Sequence, residues 1–272
     1  MRQSRRRQFG FLSLLVLTTT VTGIGISPLV QTVAAAPGTH APRISVPGPA
    51  GTQAVTSDQP WTARNWSGYA LDDSSYTDVV GSWTVPTVNA PQHHKKARQY
   101  SATWVGIDGF NGGSDLIQAG TEQDWANGTA SYGAWWEILP APETPIASIT
   151  VHPDDKMTVS IAQGSPDWTI TVTDVTTGQS FTTKKIYGGE HSSAEWIQEA
   201  PTVGRKIAAL AHDSTVDFTG LLVNGANPGL TTADAGEMVK GGKVISTPSS
   251  PNAAQNGFAV AFGDIAPPPP SG

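Results

Sequence analysis

Short runs of apolar and β-branched residues alternate with polar ones along most of the chain, with the two-residue period of half-buried strands. The runs are Trp66–Leu71, Asp78–Val85, Gln99–Ile107, Ser114–Glu122, Thr129–Leu139, Ala147–Val151, Met157–Ala162, Trp168–Val175, Ser180–Ile186, Ala194–Glu199, Thr215–Val223, Lys243–Thr247 and Phe258–Phe262. Gly, Pro, Asn and Asp punctuate the intervals, as turns between strands require. Only Arg205–His212 has a pattern compatible with a short helix. Many short strands without intervening helices predict an all-β, antiparallel sandwich or barrel. Neither a repeat nor a second composition regime interrupts the pattern, so residues 61–265 are expected to form one domain.

Alternation also sorts side chains onto faces. Tyr100, Ala102, Trp104, Gly106 and Asp108 share one face of their run; Leu116, Gln118, Gly120 and Glu122 share one face of the next. Gly133, Trp135, Glu137 and Leu139 fall together, as do Ser193, Glu195, Ile197 and Glu199. Each face carries an acid, two of them beside a Trp and one beside an amide. Taken singly, such faces are ordinary solvated surfaces. Trp104 and Trp135 change that picture, because wholly solvated faces rarely carry large aromatics. If the four faces meet, they form a cleft with aromatic walls and several carboxyls.

The ends of the chain follow different rules. Arg2 and Arg5-Arg6-Arg7 precede an apolar run from Phe9 to about Val30, which closes on Val33-Ala34-Ala35-Ala36. These are the parts of an export signal, so residues 1–36 are read as a signal peptide and the protein as secreted and extracellular. Thr18-Thr19-Thr20, Gly23, Gly25 and Pro28 break the run and make it a poor permanent span. Arg6-Arg7-Gln8-Phe9 has the outline of a twin-arginine signal. Residues 37–60 are rich in Pro, Gly, Ala and Thr without periodicity, a linker or short pro-segment. Residues 266–272 form a Pro-rich tail.

Composition narrows the chemistry. Without cysteine there are no disulfides, thiol nucleophiles or Cys-ligated metals. Net charge is -6, and no acid precedes Asp58, so loss of the four N-terminal arginines leaves 12 basic against 22 acidic residues. That balance disfavours a nucleic-acid partner. No Gly-x-Ser-x-Gly elbow, pepsin-type Asp-Thr-Gly or His-Glu-x-x-His motif is present, so no metal and no cofactor is expected.

Six strings occur in order: Asn65-Trp66-Ser67-Gly68-Tyr69, Gly81-Ser82-Trp83-Thr84-Val85-Pro86, Trp104-Val105-Gly106-Ile107-Asp108, Leu116-Ile117-Gln118-Ala119-Gly120, Ala134-Trp135-Trp136-Glu137 and Ala194-Glu195-Trp196-Ile197. Together they resemble the glutamic peptidases, or eqolisins, and in particular their bacterial branch. The resemblance runs from about Asn65 to Phe262. It implies a two-sheet β-sandwich of the lectin-like jelly-roll type and an acid endopeptidase acting on protein or peptide substrates as a monomer. The catalytic residues it implies are Gln118 and Glu195, with Trp104, Asp108, Trp135 and Glu137 lining the substrate cleft. Gly133 stands where fungal members carry an acid, and Leu139 where they carry a Tyr before Pro140.

The residue types suit that chemistry. A Glu can take a proton from water and return it to a leaving amine. A Gln carboxamide donates N–H to an oxyanion without titrating. The residues alone leave two other readings open. One is a carbohydrate-active jelly roll using two carboxyls such as Glu195 and Glu137, which would leave Gln118 expendable. The other is a secreted binding module without turnover.

Overall fold

The computed structural model describes residues 39–46, 59–91 and 97–271. The expected signal peptide lies outside these residues, as do 37–38 and 47–58 of the segment that follows it.

Alternating sequence becomes strand almost throughout. In chain order the strands are β1 (Trp61–Ala63), β2 (Trp66–Leu71), β3 (Asp78–Thr84), β4 (Val88–Asn89), β5 (Gln99–Ile107), β6 (Ile117–Ala126) and β7 (Thr129–Ile138). Next come β8 (Thr144–Pro145), β9 (Lys156–Gln163), β10 (Trp168–Asp174), β11 (Gln179–Lys185) and β12 (Ala194–Glu199). The rest are β13 (Thr202–Val203), β14 (Lys206–Ile207), β15 (His212–Asp213), β16 (Val216–Val223), β17 (Ala235–Lys240), β18 (Lys243–Pro248) and β19 (Phe258–Phe262).

Hydrogen bonding runs continuously from β11 through β10, β9, β3 and β16, across β19, β18 and β17, and on through β2, β12, β5, β6, β7 and β8. This ribbon doubles over. Residues of β3, β9, β10 and β16 share a core with residues of β5, β6, β7 and β12, giving the two layers of a sandwich. Val79, Val159, Ile161 and Ile170 contribute from one layer, and Val105, Ile117, Ala119 and Trp196 from the other. Among the strands of the described residues, pairing is antiparallel except between β1 and β17, which run parallel.

Several expectations need correction. Arg205–His212 forms no helix: Lys206–Ile207 pairs with Thr202–Val203, and His212 pairs with Asn89. The sole helical turn among the described residues is a 3-10 turn at Thr232–Asp234. Ala147–Val151 buries Ile149 and Val151 without joining a ladder, so its apolar residues reflect burial alone. Ala235–Lys240 was missed because Gly236, Glu237 and Lys240 interrupt its pattern; pairing with β1, β2 and β18 makes it a strand nonetheless.

Within the expected linker or short pro-segment, residues 39–46 are docked against the domain. Thr39 bridges Thr202, Ser45 bridges Ala63, and His40 is 1% exposed. This segment docks through backbone hydrogen bonds and charge pairs, which leave no hydrophobic period to detect. Residues 266–271 carry neither strand nor helix.

Candidate active site

The outer face of β2, β12, β5, β6 and β7 carries the predicted cluster. Glu195 on β12 pairs with Gly106 on β5, Gly106 with Gln118 on β6, and Gln118 with Glu137 on β7. Opposite residues in antiparallel ladders project to the same side, so Glu195, Gln118 and Glu137 form one row. The next row is Ile197, Trp104, Gly120 and Trp135, and the one after it Glu199, Ala102, Glu122 and Gly133. All four sequence-predicted faces therefore meet. Trp66, Trp104, Phe110, Leu116 and Trp135 belong to an apolar cluster on this side, separate from the sandwich core.

Glycine shapes the row. Gly106 stands between Glu195 and Gln118, whose backbones lie two strand spacings, about 10 Å, apart. With no side chain there, carboxyl and carboxamide can converge above the sheet. A Cβ on Gly106 would come within 2.9 Å of Trp104 Cζ3 and 3.1 Å of the Ile117 carbonyl oxygen. At Gly120 a Cβ would collide with the Thr103 carbonyl oxygen, so β5 and β6 reach this register only with glycine.

Gln118 and Glu195 are both fully buried. Gln118 Nε2 donates to Glu137 Oε2 at 2.9 Å, which distinguishes the two ends of the amide. Gln118 Oε1 and both Glu195 carboxyl oxygens have no hydrogen-bond partner among the described residues. Buried polar groups are normally paired, so this concentration of unpaired acceptors marks a place built for something else. Burial pushes the Glu195 carboxyl well above its ordinary range; the Ser193 hydroxyl, close by but outside hydrogen-bond geometry, works against that rise, and the charges of Asp108 and Asp72 add to it. Glu137 is pushed up to about 8, chiefly by burial, with His40 opposing and Glu199 and Glu143 reinforcing.

Residues 39–46 lie over this face. The His40 amide donates to Glu137 Oε2 at 3.2 Å, the same oxygen that accepts from Gln118. Its ring stacks on Trp135 and pairs with Glu199 at 3.0 Å and Glu143 at 3.3 Å. Burial alone would lower the His40 pKa; Glu199 and Glu143 overcome it and raise the value to about 10. The Ala41 amide donates to Glu199 Oε1, and Asn65 Nδ2 donates to the carbonyls of Ala41 and Pro42. Arg43 Nε donates to the Phe110 carbonyl, its guanidinium lying over the Phe110 ring.

The remaining predicted residues divide by role. Trp135 lies under the docked segment, and Trp104 donates from Nε1 to Glu199 Oε2 at 2.9 Å while meeting Trp66 edge-on. Asp108 sits at the end of β5 with φ 71°. Its carboxylate is taken up by Tyr187 Oη at 2.6 Å, the His191 amide at 2.9 Å and the Ser192 amide at 2.7 Å. It ties down the loop that leads into the Glu195 strand. Sequence reasoning missed His40 and Glu143, which come from irregular segments. Glu199 was detectable, lying four residues along the strand from Glu195 and on its face.

A family model described as the Peptidase A4 family matches residues 64–257. Aspergillopepsin-2 of Aspergillus niger is 29% identical over 211 residues, 69% of this chain and 74% of that protein. Scytalidopepsin B of Scytalidium lignicola is 28% identical over 141 residues, 52% of this chain and 50% of that protein. Among solved structures, scytalido-glutamic peptidase with a transition state analog inhibitor matches with a TM-score of 0.61 at 21% identity, over 73% of this chain and 98% of that one, a likeness of fold. Aspergilloglutamic peptidase from Aspergillus niger matches with a TM-score of 0.54 at 27% identity, over 60% of this chain and 99% of that one.

Proposed function

The chain belongs to the Peptidase A4 family and is a glutamic endopeptidase, and from that premise we propose that Glu195 and Gln118 are its working pair, in a secreted enzyme that acts in acid. The observation that carries the assignment is the row itself. Glu195 and Gln118 flank the bare backbone of Gly106, buried and with unpaired acceptors.

A peptide laid across the row places its scissile carbonyl between the two side chains. Gln118 has two N–H donors: one is held by Glu137, and the other points its hydrogen at the carbonyl oxygen, where negative charge develops. Glu195, in its ionised form, takes a proton from the attacking water and then hands it to the departing amine. The raised pKa of Glu195 belongs to the closed arrangement, in which burial disfavours the charged carboxylate. Entry of water and substrate solvates it and lowers the cost of ionisation. Glu137 acts on Gln118 as a positioning residue.

Residues 37–60 are a pro-segment in this reading, since their described part covers the Gln118–Glu137 pair. The basic and apolar N-terminus supports export, and the acidic balance of the rest supports protein substrates over nucleic acid and a monomeric enzyme. A glycosidase would need facing carboxyls roughly 5–9.5 Å apart. Here Gln118, which that chemistry would not need, stands between Glu195 and Glu137 in the row. The direct test is hydrolysis of denatured protein across acidic pH by wild type, Glu195→Gln and Gln118→Ala, with each variant shown to be folded.

A further inference from the structure

The docked N-terminal segment places one cation where the cleft concentrates acids. The His40 ring lies parallel to the Trp135 indole, with centroids 3.6 Å apart and planes inclined by 8°. Its two nitrogens address Glu199 and Glu143. The pocket nevertheless offers more acceptors than an imidazole has donors. Both Glu143 carboxyl oxygens and Glu137 Oε1 are buried without a hydrogen-bond partner among the described residues, and at 3.3 Å His40 Nε2 pairs with Glu143 by charge without hydrogen-bond geometry. The occupant matches the pocket in shape and sign and falls short in number of donors.

We propose that this pocket, floored by Trp135 and walled by Glu137, Glu143 and Glu199, is a substrate subsite for a basic side chain, arginine above all, and that His40 is the chain's own occupant of it. The proposal rests on the endopeptidase reading and adds the substrate class. A guanidinium is planar and stacks on an indole as the imidazole does here, and its five N–H donors suffice for the carboxyl oxygens that His40 leaves unpaired. Lysine brings the charge and three donors but no plane to stack. A neutral side chain of the same shape leaves buried carboxylates without a counter-charge. The subsite is close to the chemistry: the His40 amide shares Glu137 Oε2 with Gln118 Nε2, so the basic residue is borne near the scissile bond on the Gln118 side.

The test uses the full chain carrying His40→Ala, which removes the resident ring. Peptide pairs place Arg or its neutral isostere citrulline at each position within three residues of a cleaved bond, with a Lys and norleucine pair alongside. At one position kcat/KM for the Arg peptide is expected to exceed that for citrulline roughly tenfold to hundredfold, the range of a hydrogen-bonded buried charge, with Lys intermediate. Adding Glu143→Gln should shrink the ratio severalfold; Glu199→Gln should do the same, but Glu199 also holds Trp104, so Glu143 is the cleaner variant. Turnover of the citrulline peptide certifies each variant as a folded enzyme. Equal rates for Arg and citrulline at every position would overturn the subsite, as would an undiminished ratio after Glu143→Gln. Tryptophan fluorescence titration with the same peptides reads the pocket without turnover. Preferential binding of the Arg peptide without cleavage of any peptide would support the subsite and sink the endopeptidase reading instead.

Discussion

Raising the pH from 5 to 7 should destabilise this fold, the reverse of the usual course for a globular protein. Burial pushes Glu122 up to about 7, Glu137 to about 8 and, with help from Glu122, Asp124 to about 9. His40 rises to about 10 because Glu199 and Glu143 outweigh its burial. Every one of these groups binds its proton more tightly folded than unfolded. The stability each contributes is complete below its unfolded pKa and is lost as pH climbs to the folded one. The windows are 4.5 to about 7 for Glu122, 4.5 to about 8 for Glu137, 3.8 to about 9 for Asp124 and 6.5 to about 10 for His40. Each extra proton held by the fold changes stability by about 1.4 kcal/mol per pH unit.

The groups share one face and titrate together, so one to two protons is a sounder count than four. Between pH 5 and 7 the loss is then about 3–5 kcal/mol, a large part of the roughly 5–15 kcal/mol that holds a domain folded. For a domain of this size that corresponds to a fall in Tm of about 6–20 °C. Thermal and urea melts from pH 4 to 8 measure it, and Glu137→Gln should flatten the slope by about one proton. A Tm that is level or rises from pH 4 to 7 would refute the reasoning, as would an unaltered slope in Glu137→Gln.

Three other outcomes are expected. Gly106→Ala sets a methyl 2.9 Å from Trp104 Cζ3 and between the two working side chains, so it should cost about 1–3 kcal/mol by overpacking and reduce kcat/KM more than Tm explains; full activity in a folded variant counts against the row. His40→Ala in the full-length chain should raise initial cleavage rates by freeing the cleft, and rates equal to those of unprocessed wild type would remove residues 39–46 from the substrate's path. Asp108→Asn forfeits a buried carboxylate that accepts from Tyr187 and from the His191 and Ser192 amides, a loss of about 1–3 kcal/mol in urea melts; an unchanged midpoint would show that it does not anchor that loop.

Two-residue alternation made most of this fold legible. It located the strands that carry Gln118, Glu137 and Glu195, and it sorted the side chains onto faces that the observed registers bring together. Registers themselves are long-range facts, so only the structure shows Gly106 between Glu195 and Gln118. Glu143 reaches the cleft from the segment after Pro140, where no period constrains direction. His40 is fixed by Glu137 and Glu199, and its neighbours Thr39 and Pro42 by Thr202 and Asn65, partners elsewhere in the chain, and its surroundings in sequence look like a linker. Asp108 adds a tie of the same long-range kind: its carboxylate accepts from the His191 and Ser192 amides of a loop some eighty residues on.

The central claim is that Gln118 holds the developing oxyanion while Glu195 moves the proton. It is tested most directly by kcat/KM of Gln118→Ala on a denatured protein substrate at acidic pH, beside Glu195→Gln and Glu137→Gln and with folding verified by melts. Loss of one oxyanion donor should lower the Gln118→Ala rate roughly 10²–10³-fold, with Glu195→Gln near background and Glu137→Gln retaining turnover. A folded Gln118→Ala enzyme that cuts at the wild-type rate would contradict the account.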